Sequence, residues 1–252
     1  MESLPRPPSP LLAISEAPRA ALDACRLIPG MRRLVRESPR GDGHPVLVVP
    51  GYGASDVATA PLRRFLNQIG YTAVALEAGR NVESAENRIR SVDDASRFRE
   101  QFVEILVKRL EEVFESQGRR VTLIGWSMGG LYAFDASQKA AAITRGVVTL
   151  GAPFGDLRGT SIFELMRRLS GSKLPIEEQD FSGWLEKACA PSVPTTVIYS
   201  ESDGIVGRDT ARRLASSARL RFESVDSSHL SLSFNTEVFT QIAKALAEDT
   251  QL

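Results

Sequence analysis

Six short runs rich in β-branched and aliphatic residues punctuate the chain, at 45–49 (Pro45-Val46-Leu47-Val48-Val49), 72–76, 121–125, 146–150, 195–199 and 220–225. Between them, apolar residues recur at the three-to-four spacing of an amphipathic helix. The clearest series is Val92, Ala95, Phe98, Phe102, Ile105, Leu106, Leu110 and Val113, opened by Ser91 and Asp94 in a capping-box-like start and closed by Gly118. Shorter helices are expected at 60–68, from Met128 to about Lys139, near 209–217 and at 233–248. Strands that are apolar on both faces and alternate with helices imply an α/β fold with a mainly parallel sheet of about six strands, covered by helices on both sides. A chain of 252 residues is long enough to build one such domain around a substantial core.

Lys plus Arg and Asp plus Glu each total 31, so there is no global positive field to hold a polyanion, and nucleic acid is not an expected partner. Cys25 and Cys189 stand far apart and without ligand-like spacing to either histidine. This argues against a metal site or a disulfide framework, and the two cysteines are expected to act as small apolar packers. Four prolines in the first ten residues predict an extended leader. The four-residue apolar run that follows, Leu11 to Ile14, is too short for a signal peptide or a membrane span, so a soluble cytoplasmic protein is expected. From Ser15 to Val35 helical spacing resumes but is broken by Pro29-Gly30, which predicts two short helices. Residues 1–44 therefore read as a leader and helical arm, and 45–252 as the α/β domain. Arg32, Arg33 and Arg36 suit a solvated basic face on a packed arm; contact with a membrane surface is the alternative.

The run at 121–125 leads into Gly125-Trp126-Ser127-Met128-Gly129, and a helix follows. Strand, Gly-x-Ser-x-Gly and helix together describe a nucleophile elbow, a turn so tight that side chains at the glycine positions would collide with backbone. Such a turn lifts the Ser127 hydroxyl clear of the sheet. A serine hydroxyl is a poor nucleophile at neutral pH, so it needs a base, an orienting acid and donors for an oxyanion.

Only two histidines occur. His44 precedes the first strand, at the wrong end of a parallel sheet, whereas His229 follows the last strand, at the same carboxyl edge as the elbow. His229 is therefore the expected general base. Asp203, beyond the strand at 195–199, is the expected orienting acid, with Glu201 and Asp226 as weaker rivals. The order Ser127, Asp203, His229 fits. The expected oxyanion donors are the backbone N–H of Met128, directly after the serine, and that of Tyr52 in the loop Pro50-Gly51-Tyr52-Gly53-Ala54-Ser55.

With these residues in place, the chain resembles the α/β-hydrolase superfamily, in particular its small bacterial lipase- or esterase-like members. The matching segments include Val49-Pro50-Gly51-Tyr52-Gly53-Ala54-Ser55-Asp56, Gly79-Arg80-Asn81, Gly125-Trp126-Ser127-Met128-Gly129-Gly130, Gly151-Ala152-Pro153-Phe154-Gly155, Ser202-Asp203-Gly204-Ile205-Val206 and Ser228-His229-Leu230. Two departures stand out: Pro50-Gly51 where many relatives carry His-Gly, and Gly207 where proline is common. The resemblance implies a serine hydrolase acting on carboxylic esters, on a small-molecule or lipid substrate, through an acyl-enzyme and without a cofactor. It equally allows acyl transfer to an alcohol, thiol or peroxide, thioester cleavage, or a binding module on a retained scaffold.

Between Phe154 and Val193 the strand–helix alternation lapses for about forty residues, too long for a structureless loop. A small helical cap or lid is expected across 154–193, with Ile162, Leu165, Met166 and Leu169 on one helix face and Phe181, Trp184 and Leu185 in a second short helix. Trp126, Phe154, Phe163, Met166, Phe181 and Trp184 are the expected apolar contacts to an acyl chain. Arg80, beyond a strand end, is expected either to bind an acidic substrate group or to pair with a structural carboxylate.

Overall fold

The structure is a computed structural model that describes residues 6–82, 89–161, 163 and 180–248. Its sheet has six strands: β1 (Pro45–Val49), β2 (Thr72–Ala75), β3 (Val121–Trp126), β4 (Thr144–Leu150), β5 (Thr195–Ser200) and β6 (Leu220–Val225). All neighbours pair in parallel, in the order β2-β1-β3-β4-β5-β6. The chain leaves β1 toward β2 and then crosses to β3 on the other side. A topological switch point therefore lies between β1 and β3, where the loop after β1 meets the turn after β3.

The described helices are α1 (Pro10–Glu37), α2 (Ala60–Ile69), α3 (Val92–Gln117), α4 (Met128–Lys139), α5 (Ser182–Glu186), α6 (Arg208–Ala211) and α7 (Thr236–Glu248). Side chains alternate across the pleat and separate two cores. Leu47, Val49, Leu123 and Val147 face a layer built from α3, α4 and α5, while Val46, Val48, Ile124 and Val148 face α1, α2 and α7. In the second layer Phe65 and Phe239 stack at 5.0 Å between ring centroids. The start of α3 is the expected capping box: the Ser91 side chain accepts from the Asp94 N–H, and the Asp94 carboxylate accepts from the Ser91 N–H.

Three expectations are corrected here. The arm is one helix of 28 residues rather than two, running through Pro18 and Pro29. Each proline removes a bond to the carbonyl four residues earlier, on Ile14 and Cys25; all four of these residues are exposed, so water can satisfy the freed carbonyls. The helix near 209–217 shortens to Arg208–Ala211, because the chain turns off to dock the Ala215 N–H on the Ala188 carbonyl at 3.2 Å. Cys25 and Cys189 are exposed rather than packed. The expected cap helix around Ile162, Leu165, Met166 and Leu169 lies outside the described residues. The exposed side of α1 carries Leu11, Ile14, Leu22 and Ile28, followed by exposed Arg32, Arg33 and Arg36. No helix among the described residues is long and apolar enough to cross a membrane.

Candidate active site

Ser127 joins β3 to α4 with φ 55° and ψ −127°. A non-glycine residue with positive φ is strained by roughly 1–3 kcal/mol, so the surrounding packing must impose it. That packing explains both glycines of the motif. A Cβ on Gly125 would run into the Gly129 carbonyl, and a Cβ on Gly129 would lie 2.5 Å from the Pro50 carbonyl oxygen. The strand, the helix and the loop after β1 thus meet backbone to backbone at the switch point.

Ser127, His229 and Asp203 come together at the carboxyl edge of the sheet. The Ser127 Oγ lies 2.9 Å from His229 Nε2, and His229 Nδ1 lies 2.7 Å from Asp203 Oδ2. The other carboxylate oxygen, Asp203 Oδ1, accepts from the backbone N–H groups of Ile205 (2.8 Å) and Val206 (2.7 Å), which fixes its rotamer. His229 is 3% exposed and Asp203 equally buried, so little water competes for either contact. Burial alone pulls the His229 imidazole downward; the charge and hydrogen bond of Asp203, helped by the charge of Glu16, outweigh it and hold the imidazole above its ordinary value. Trp126 ties the loops further, its Nε1–H donating to the His229 carbonyl at 3.0 Å. The rival acids lie elsewhere: Glu201 pairs with Arg208, and Asp226 with Arg19.

Ser127 and His229 open into an apolar cavity whose wall includes Tyr52, Met128, Trp126, Leu157, Phe163 and Val206. As the first residue of α4, Met128 has an N–H that cannot be satisfied within the helix. Tyr52 lines the same cavity from the loop after β1, where Gly51 approaches so closely that a Cβ would lie 3.1 Å from the Ser127 Cβ. This loop is held by Asn81, a residue of the segment Gly79-Arg80-Asn81 to which no local rule of period or cap assigns a role. Asn81, 1% exposed, donates its Nδ2–H to the Pro50 carbonyl at 3.2 Å; its own N–H donates to the Ala54 carbonyl at 2.9 Å, and its carbonyl accepts from the Gly53 N–H at 2.6 Å. Its neighbour Arg80 is exposed and does not line the cavity.

Of the expected acyl contacts, Trp126 and Phe163 line the cavity. Phe154, Phe181 and Trp184 do not: they are core residues. Phe154 packs edge-on to Phe134 at 5.3 Å; Trp184 donates to the Gly155 carbonyl at 3.1 Å beneath the Arg99 guanidinium; Phe181 sits edge-on to Phe163 with Arg158 over its ring. Met166 lies outside the described residues. Walls that periodicity did not single out come from Leu157, Thr160, Ile205 and Val206. Thr160 bridges to Val206, and the Ser161 N–H donates to the Ile205 carbonyl at 2.9 Å, so the first residues after Phe154 are stitched to the acid loop.

The profile of the Alpha/beta hydrolase family matches residues 27–236. The chain belongs to the alpha/beta hydrolase family. Solved structures agree on the fold at low identity. The monoacylglycerol lipase of Paleococcus ferrophilus is 14% identical, with a TM-score of 0.57, covering 84% of this chain and 96% of its own. The metagenome-derived lipolytic enzymes LipS and LipT give 15%, 0.61, 85% and 96% in the same order. BpoC of Mycobacterium tuberculosis, named for a non-heme bromoperoxidase, gives 19%, 0.56, 83% and 94%. No curated protein matches the chain. Among the described residues of this family member, no group of His, Cys, Asp and Glu is arranged to hold a metal ion.

Proposed function

We propose that the protein is a serine hydrolase that cleaves carboxylic esters through an acyl-enzyme on Ser127. The observation that carries this reading is the unbroken line of contacts from Ser127 Oγ through His229 to Asp203 at the floor of an apolar cavity. The Ser127 Oγ attacks the ester carbonyl carbon while its proton passes to His229 Nε2. Asp203 holds the imidazole with Nε2 free to accept that proton and stabilises the imidazolium that forms. The N–H groups of Met128 and Tyr52 receive the negative charge of the tetrahedral oxygen. His229 then returns the proton to the leaving alcohol. Water repeats the sequence on the acyl-enzyme and releases the acid. An apolar wall with few polar groups favours an acyl chain over a polar acyl group. The lipolytic names among the structural relatives fit that class.

A fluorophosphonate probe on the folded protein is expected to label Ser127 and to leave Ser127→Ala unlabelled. A p-nitrophenyl ester series of increasing chain length measures the acyl preference. Ser127→Ala and His229→Ala are expected to lose on the order of 10⁴-fold or more in kcat. An unlabelled wild-type protein would sink the enzyme reading and leave a binding module. Labelling with turnover only when an alcohol, thiol or peroxide acceptor is supplied would replace hydrolysis by acyl transfer.

A further inference from the structure

The helix that precedes the α/β domain reaches the candidate site. Glu16 of α1 is 3% exposed although it is an acid on a surface helix. Its two carboxylate oxygens accept from two different loops: Oε1 from the Gly204 N–H at 2.7 Å, and Oε2 from the Leu230 N–H at 3.0 Å. Gly204 directly follows Asp203, and Leu230 directly follows His229. One carboxylate thus bridges the residues next to the acid and next to the base. The helix is pressed against this spot, since a Cβ on Gly204 would lie 2.5 Å from the Leu12 backbone.

The contacts continue along the same helix face at intervals of three and four residues. Arg19 donates to the Ser202 carbonyl at 2.5 Å, to the Ser202 Oγ at 2.6 Å and to Asp226 at 3.2 Å. Asp23 accepts from the Ser231 Oγ at 2.6 Å and from Asn235 at 3.0 Å.

We propose that Glu16 is a positioning residue for the Asp203–His229 pair, clamping the acid loop to the histidine loop and placing a second carboxylate beside the base. The proposal rests on the reading of Ser127, His229 and Asp203 as the reacting set. Breaking the bridge removes the tie between the residues next to Asp203 and His229, leaving the Asp203–His229 hydrogen bond and the Trp126 bond to the His229 carbonyl to hold the imidazole, and loosens the Ser127–His229 contact. The carboxylate also favours the imidazolium formed during attack. The charged groups around His229 are Asp203 from the acid loop, Glu16, Arg19 and Asp23 from α1, Asp226 from its own loop and Glu237 from α7. Arg19 pairs with Asp226, Asp23 accepts from Ser231 and Asn235, and Glu237 accepts from the Asp226 N–H. Of these, Asp203 first and Glu16 second are the acids whose charge raises the His229 imidazole.

Glu16→Gln preserves size but removes the charge and one of the two acceptors. With His44 as the only other histidine, the imidazole of His229 can be followed individually by heteronuclear NMR titration in the full chain, whether or not the protein turns over ester. The expected result is a downward shift of the His229 midpoint by about half a pH unit. The acid limb of kcat/KM should move the same way, with kcat falling about tenfold and KM little changed. Glu16→Asp keeps the charge but withdraws it by one methylene. It is expected to hold the midpoint near the parent value and to lose a smaller part of kcat. An unmoved His229 midpoint in folded Glu16→Gln overturns the proposal, as does full parental kcat in Glu16→Asp, an arm that stays readable if Glu16→Gln does not fold. Absence of fluorophosphonate labelling in the parent strikes the functional reading instead, and the NMR arm separates the two failures.

Discussion

At the scale of single residues, the clearest tension is the backbone of Ser127. A positive φ on a residue with a Cβ raises the energy of the folded state, and only the close approach of β3, α4 and the loop after β1 holds it there. Glycine adopts this conformation without that cost. Ser127→Gly is therefore expected to raise stability by about 1 kcal/mol while abolishing fluorophosphonate labelling. Ser127→Ala removes the same hydroxyl but keeps the Cβ, so it should not show the gain. Urea melts of the three proteins check this, and equal midpoints for the Gly and Ala variants would remove the case for strain at the elbow.

At the scale of elements, α1 joins the outer helical layer to the acid and histidine loops, and at Gly204 its backbone lies directly against the acid loop. Gly204→Ala places a methyl against the Leu12 backbone, which cannot rotate away as a side chain would. The helix or the loop must move, at an expected cost of about 1–3 kcal/mol. Because that movement also stretches the Glu16 bridge, Gly204→Ala and Glu16→Gln should be non-additive in kcat/KM. A double-mutant cycle with additive effects would show that α1 packs on the site without coupling to it.

The same helix shows what the sequence does and does not disclose. The six strands, the capping box at Ser91 and the turn at Ser127 announce themselves because each rests on a local rule of period, cap or glycine. Glu16, Arg19 and Asp23 do not, since charges at helical spacing usually mark a solvated face, and their partners lie about two hundred positions away. Pro29-Gly30 reads as a break because the exposure that lets the helix run through it is a tertiary property. Likewise Phe154 and Trp184 have the composition of a substrate wall, and only the packing on Phe134 and Arg99 assigns them to the core. Asn81 belongs to the segment Gly79-Arg80-Asn81, yet its bonds to the loop after β1 depend on the neighbouring position of β2 in the sheet.

At the scale of the whole molecule, the two histidines stand at opposite edges of one sheet and have opposite electrostatics. His44 is fully buried, with Nδ1 2.5 Å from Asp42 Oδ1, Nε2 2.9 Å from Thr122 Oγ1 and its ring edge-on to Tyr71 at 4.9 Å. Burial pushes its imidazole below the ordinary value despite Asp42, so it folds as the neutral ring. A histidine whose folded value is depressed takes up its proton more readily when unfolded. Its contribution is complete above the unfolded value of about 6.5 and fades as pH falls below it. His229, raised in the folded state, does the reverse: its contribution is complete below about 6.5 and is lost as pH rises through the folded value. His44→Ala should therefore cost about 2–4 kcal/mol at neutral pH, through the cavity and the stranded Thr122 hydroxyl. It should also flatten the decline of stability between about pH 6.5 and 5, while kcat/KM per folded molecule stays at the parental level because the site lies at the other end of the strands. Denaturant melts at several pH values, paired with ester turnover at a temperature where both proteins are folded, test all three expectations. An acid-side decline unchanged in His44→Ala would mean that another group carries it, and a fall in kcat/KM per folded molecule would mean that the amino edge of the sheet is coupled to the site.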